Sequence, residues 1–234
     1  MQLIKSAALV SVIILGAVAG CSSTTTIIQN DAAAPADAAT KDTGTPKDTG
    51  ASDSATNTCT PQDISGFTPT ALTPPVAKPA PLCTSTDITT YIDNCVNPVN
   101  KTQCATVAAT CVPCLLTPAS AAKAGALIEG SGFVRANLAG CLQDLGNIAC
   151  ATAIDVESQC VEAACPDSVC PVIDDPSLQL LNACTTAAAK TKCKTQSDAA
   201  TACLNSDAAS IATCTSGTAF RDSFIAVATV MCGQ

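Results

Sequence analysis

Sixteen of the seventeen cysteines fall between residues 59 and 234, about 9% of that segment, and nothing else in the chain constrains its fold as strongly. Cysteine at this density marks a domain built in an oxidising compartment, where cross-links stand in for a large apolar core. The set is Cys59, Cys83, Cys95, Cys104, Cys111, Cys114, Cys141, Cys150, Cys160, Cys165, Cys170, Cys184, Cys193, Cys203, Cys214 and Cys232. An even number predicts eight bridges. Sixteen cysteines admit about two million pairings, so the connectivity is not readable from the sequence. Composition shows why cross-links are needed: 43 of the 234 residues are Ala and the only aromatics are four Phe and one Tyr, so the 47% hydrophobic fraction holds little side-chain volume.

The same inventory excludes much chemistry. With no His, Ser-His-Asp and Cys-His nucleophile pairs, HExxH zinc sites and imidazole ligation all fall away. Eleven basic against nineteen acidic residues give a net charge of −8, a field that repels phosphate backbones, so no nucleic-acid partner is expected. No metal or cofactor is expected either, because a single CxxC with no second CxxC and no His is no zinc ligand set. The expectation is a protein that is not an enzyme.

Residues 1–20 place Lys5 before the apolar run from Ala7 to Leu15 and then small residues leading to Cys21. This is the order of a secretory signal, too short to stay in a bilayer as a span. Val18-Ala19-Gly20-Cys21 resembles the lipobox of bacterial lipoproteins. The resemblance implies cleavage behind Gly20 and acyl chains, palmitate among them, on Cys21; the alternative is an ordinary secreted protein cut near Ala19. Setting Cys21 aside leaves an even cysteine count, as an anchor requires. Two or more acyl chains at ~0.8 kcal/mol per buried methylene hold a protein on a membrane, whereas one does so marginally. Ser22, where enteric sorting reads Asp as a retention signal, implies the outer membrane of the cell envelope.

From Ser22 to Thr58 the chain is mainly Thr, Ala, Asp, Ser, Pro and Gly, with Lys-Asp-Thr-Gly at both 41–44 and 47–50. Such a stretch buries too little surface to offset the entropy of ordering and reads as a disordered tether with a reach of roughly 30 to 36 Å. The expected organisation is a signal peptide over 1–20, a lipidated Cys and tether over 21–58, and a disulfide-rich helical domain over 59–234.

Apolar spacing within that domain is mainly helical. Ile88, Tyr91, Ile92, Cys95 and Val96 share a stripe over 84–96, with Thr84 as N-cap and Asp87 three residues on. Further helices are expected over about 101–111, over 138–145, over 147–165 with a break near Asp155, and from an Asp175-Pro176 start whose Leu180, Cys184, Ala187 and Ala188 face inward. Others follow around 196–204, 206–214 and 218–232, the last aligning Phe220, Phe224, Val227, Ala228 and Met231. Residues 126–136, with Gly130-Ser131-Gly132 at the centre, read as a short β-hairpin. The fold class is therefore mainly α, a disulfide-rich helical domain with one short hairpin.

Cys141, Cys150 and Cys160 are spaced by 9 and 10, and Cys184, Cys193 and Cys203 repeat that spacing, with Asp155 and Asp198 at matching places. Nine helical positions separate Cα atoms by about 14 Å, so such cysteines join different helices or span a turn between two, as stapled helical hairpins from similar units would. Cys111-Val-Pro-Cys114 has dithiol-oxidoreductase spacing, but a helix precedes it and other cysteines compete, so a structural role is expected. Asp174-Asp175 reads as helix capping; Asp155, Glu157 and Glu162 as a solvated helix face; Phe220 and Phe224 as core; Arg135 and Arg221 as basic groups without a local anion site.

Through Cys111-Val-Pro-Cys-Leu-Leu-Thr117, Asn137-Leu-Ala-Gly-Cys141 and Cys160 with Ala164-Cys165, the domain resembles cysteine- and alanine-rich lipoproteins of myxobacterial genomes, a resemblance that implies no activity. A likeness to helical disulfide-rich lipid carriers, plant lipid-transfer proteins and elicitins, is architectural only, since their adjacent cysteines are missing. The expected function is a membrane-anchored, non-enzymatic interaction or structural module of the cell envelope, partnered by the membrane and by envelope or extracellular proteins. A binder of lipid or a small apolar ligand is the alternative.

Overall fold

The computed structural model describes residues 59–76, 80–96, 100–217 and 219–233, with the backbone of Thr26–Ile27. The expected signal peptide, Cys21 and the rest of the expected tether lie outside the described residues. No helix among the described residues is long and apolar enough to cross a membrane.

Helix α1, Ser85–Tyr91, opens with the expected capping box: Asp87 N–H donates to Thr84 Oγ1 at 3.1 Å and Thr84 N–H donates to Asp87 Oδ2 at 2.9 Å. It continues as a π-helical turn, Ile92–Val96. Helix α2 is shorter than expected and covers only Lys101–Cys104. Past it, Ala108 N–H donates to the Asp87 carboxylate at 3.0 Å, and the same carboxylate that caps α1 thus draws this N–H away from helix formation. Pro113 then lies within the one-turn helix α3, Val112–Leu115.

Three short strands follow: β2, Leu116–Pro118; β3, Leu127–Glu129; and β4, Phe133–Ala136. β3 and β4 are the expected hairpin, paired antiparallel with Ile128 opposite Arg135. Gly132 sits at φ +78°, and a Cβ there would meet the Val172 carbonyl oxygen at 2.2 Å, so the turn needs glycine for conformation and for close approach. β2 runs parallel to β3, a strand too short to show as alternation in the sequence. Thr26–Ile27, here β1, pairs antiparallel with the outer edge of β4, giving the order β1-β4-β3-β2.

The remaining helices are α4, Leu138–Asp144; α5, Ile148–Ala164; α6, Asp175–Lys190; α7, Lys194–Ser206; α8, Ala208–Cys214; and α9, Phe220–Met231. α5 runs unbroken through Asp155, whose carboxylate accepts from Gln159 Nε2 one turn on at 2.7 Å and so leaves the backbone undisturbed. α6 begins one residue earlier than read: Asp174 is the N-cap, with Asp175 and Pro176 inside the first turn. Its buried face is Leu181, Cys184, Ala188 and Ala189, while Leu180 is 44% exposed. Leu180 and Leu181 both keep helical phase with Cys184, and the direction of the Cys184 bridge selects the second.

All sixteen cysteines of the domain are paired, with Cα–Cα separations from 4.8 to 6.1 Å. Four pairs nest: Cys165–Cys184 inside Cys160–Cys193, inside Cys150–Cys203, inside Cys141–Cys214. The bridges form an antiparallel ladder, with α4 and α5 as one rail and α6 to α8 as the other. Along the ladder the steps are 9, 10 and 5 residues on the first rail and 11, 10 and 9 on the second, so the cysteines of one triple pair across to the other rail in reverse order.

Two hydrophobic clusters result. The larger holds Ile88, Tyr91, Leu115, Leu127, Leu142, Phe224 and Met231 around α9; Phe224 is fully buried, with its ring centroid 6.3 Å from that of Tyr91. Phe220 is also buried there, so both phenylalanines are core, as their helical spacing suggested. The smaller consists of Cys160, Cys165, Cys170, Cys184 and Cys193 with Ala164, Ala188, Val172 and Leu181. α5 feeds the larger cluster with its first half and the smaller with its second.

Candidate functional site

The small sheet has two faces because strand side chains alternate. Leu127 and Val134 point into the larger cluster, while Ile128, Phe133 and Arg135 face α5 and α6 across a gap. The gap is an open cleft of about 540 Å³. α5 presents Ser158, Val161, Glu162 and Cys165 to it, a set at i, i+3, i+4 and i+7, together with Glu157. α6 presents Leu181, Asn182, Thr185, Thr186 and Ala189. The floor is apolar, and the walls carry hydroxyl, amide and carboxylate groups.

Arg135 crosses from β4 to α5 and forms an ion pair through Nε with Glu162 Oε1 at 2.9 Å, with the Arg135 side chain only 15% exposed. Glu157 is 6% exposed, against the expectation of a solvated position. Burial pushes its carboxyl up, partly offset by a hydrogen bond from Ser197. Asp155 is raised for the same reason, against opposing effects from Gln159 and Arg135. The sequence held a signal for Glu157: with Cys150, Ile154 and Ala164 it lies at i+7 on the inward stripe of α5, a carboxylate in an apolar phase.

The other singled-out residues do structural work. Arg221 grips Asp93 bidentately at 2.6 and 2.7 Å, so this guanidinium is occupied. Cys111 and Cys114 do not pair with each other: Cys111 bridges to Cys83 and Cys114 to Cys232, which separates the CxxC into two staples. Cys59, Cys170 and Cys184 bring their sulfurs within 4.8 Å of one another, but each is in a disulfide, and the oxidised group offers no thiolate to a metal.

Two segments that carry the lipoprotein resemblance meet in a buried polar knot. Thr117 Oγ1 accepts from Gly125 N–H at 2.9 Å, and Asn137 Nδ2 donates to the Gly125 carbonyl at 2.9 Å. Asn137 Oδ1 also caps α4 by accepting from Gly140 N–H at 2.8 Å. A Cβ on Gly125 would lie 2.5 Å from the Cys114 carbonyl oxygen, so the strand leading to β3 passes this close only without a side chain. These residues hold the sheet beside the Cys114–Cys232 bridge. No known protein family, curated protein or solved structure matches the chain.

Proposed function

We propose that this protein is a lipid-anchored module of a bacterial cell envelope, held on the outer membrane through acylated Cys21 and acting without catalysis. The observation that carries the reading is the cysteine account: eight disulfides use every cysteine from 59 to 232, which leaves Cys21, at the end of the lipobox-like tetrapeptide, outside the pairs. An oxidised, cross-linked domain on a long polar segment fits recognition of envelope or extracellular molecules.

The test is export of the whole chain in a bacterial host, membrane fractionation, and intact mass of the detergent-extracted product. The expected result is a membrane-bound protein that begins at Cys21 and carries acyl mass. Water-soluble product without that mass, or a Cys21→Ser variant that stays membrane-bound after cleavage, overturns the reading.

A second reading, recognition of a small ligand with an apolar part, is favoured by the cleft. Its volume of about 540 Å³ lies within the range of about 300–1,000 Å³ typical of small-molecule sites.

A further inference from the structure

The cleft also selects the charge of what it holds. Its lining includes the acidic residues Glu157, Glu162 and Asp167 and, among the described residues, one basic residue, Arg135, whereas Glu129, opposite Val134 in the hairpin register, turns its side chain to the other face of the sheet. Arg135 is already engaged by Glu162. Glu157 and Asp167 therefore give the cleft an excess of negative charge that no other lining side chain balances. Glu157 matters most, because a carboxylate that is 6% exposed has lost most of its water and has Ser197 in place of a cation. Val161, Leu181, Ile128 and Phe133 supply apolar surface beside it. A fatty-acid carboxylate or a phospholipid phosphate entering here would meet like charge from the walls and from a chain of net charge −8.

We propose that the cleft binds an amphipathic organic cation, with its apolar body on Val161, Leu181, Ile128 and Phe133 and its ammonium group directed to the Glu157 side. The proposal rests on the ligand-binding reading and adds the ligand's class. The ammonium supplies the counter-charge that Glu157 lacks, and Ser158, Asn182 and Thr185 offer further oxygen acceptors to its N–H groups. A cation held this way also meets the face or edge of Phe133, the only aromatic ring lining the cleft among the described residues.

Three probes of one length separate the possibilities: octylammonium, octanol and octanoate. They are titrated at pH 7 into the full mature chain, residues 21–234 with Cys21→Ser so that no detergent is needed, made in an oxidising compartment. Binding is read by calorimetry and by amide shift changes over 128–135 and 157–165. The expected result is octylammonium bound about tenfold or more tightly than octanol, with octanoate weakest. Added salt should weaken octylammonium and leave octanol unchanged. Glu157→Gln should bring octylammonium down to the octanol level while octanol binding, which also reports that the variant is folded, stays as it was. Octanol or octanoate equal to octylammonium overturns the cation assignment and leaves ligand binding standing. If no probe shifts the cleft amides, both fall.

Discussion

Glu157 shows how one residue can sit in helical phase with a core and still be a carboxylate. Its neighbours on the inward stripe of α5 are Ile154, Cys160 and Ala164, so folding carries it inward whether or not a counter-charge waits there. The consequence is a pH dependence of definite sign. Burial raises its folded pKa, so the folded chain holds the proton to a higher pH than the unfolded chain does, and Asp155 adds to this in the same direction. Stability from these two groups therefore falls as pH rises through their folded values and is regained on acidification. Asp87 and Asp93 act oppositely. Hydrogen bonds from Thr84 and Ala108 hold Asp87 low and the Arg221 guanidinium holds Asp93 low, so their contribution is present above the ordinary aspartate range and is lost as pH falls through the lowered values. The melting temperature should accordingly rise as pH falls through the raised folded values of Glu157 and Asp155 and drop as it falls further through the lowered values of Asp87 and Asp93. Glu157→Gln should flatten that rise and leave the acid drop in place. Parallel curves for variant and parent from pH 7 to pH 3 would show that Glu157 does not titrate as its burial requires.

At the level of elements, the disulfide ladder makes neighbouring bridges share a task. In the unfolded chain with Cys160–Cys193 still closed, Cys150–Cys203 closes only about twenty further residues rather than the whole stretch between its partners, and without it Cys141–Cys214 still closes the wider loop. Loop-closure entropy then assigns the middle rung about 3 kcal/mol. Cys114–Cys232 has no such neighbour on its outer side and ties α3 to the end of α9, with both sulfurs fully buried; the same argument gives about 4 kcal/mol, before any cavity cost. The double variant Cys114→Ala with Cys232→Ala should thus lose more stability in urea unfolding than Cys150→Ala with Cys203→Ala. The reverse order would mean that the ladder rungs do not share their load. The helices themselves were largely legible, because α1, α4, α5 and α9 each carry a cap or an apolar stripe in their own sequence. The Thr84/Asp87 capping box and the hairpin at Gly130–Gly132 were legible for the same local reason. The length of α2 was not, since it is decided by a hydrogen bond from Ala108 to Asp87 twenty-one residues away. The inward phase of α6 was read on Leu180, whereas Leu181 is the buried one, because both keep helical spacing with Cys184 and the Cys165 partner decides between them. The cleft was invisible for a related reason: it lies between elements distant in sequence, and only Glu157 bore a local mark of it.

For the whole molecule, the division into two clusters determines what oxidation supports. The larger cluster has branched and aromatic side chains from α1, α3, α4, α9 and the sheet, enough to pack against one another. In the smaller cluster five of the nine buried residues are cysteines and two are alanines, so Val172 and Leu181 are its only buried large apolar side chains, with Ile64, Phe67, Phe133, Val161, Val169 and Leu178 half-buried against it. Three bridges, Cys59–Cys170, Cys160–Cys193 and Cys165–Cys184, run through that half. Each bridge commonly contributes about 2 to 4 kcal/mol, while a whole domain is stable by only about 5 to 15 kcal/mol. Reduction should therefore abolish the cooperative melting transition of the mature chain. It should do so unevenly: hydrogen exchange during stepwise reduction should release α6 and the second half of α5 before α9 and α4. The cleft is walled on one side by the smaller cluster, so binding of octylammonium, if present in the oxidised chain, should disappear at the stage when α6 loses protection, with α9 still protected. A cooperative melt that survives complete reduction, confirmed by sixteen alkylated thiols beyond residue 58, would show that alanine packing suffices and that the bridges are not what holds the second half together.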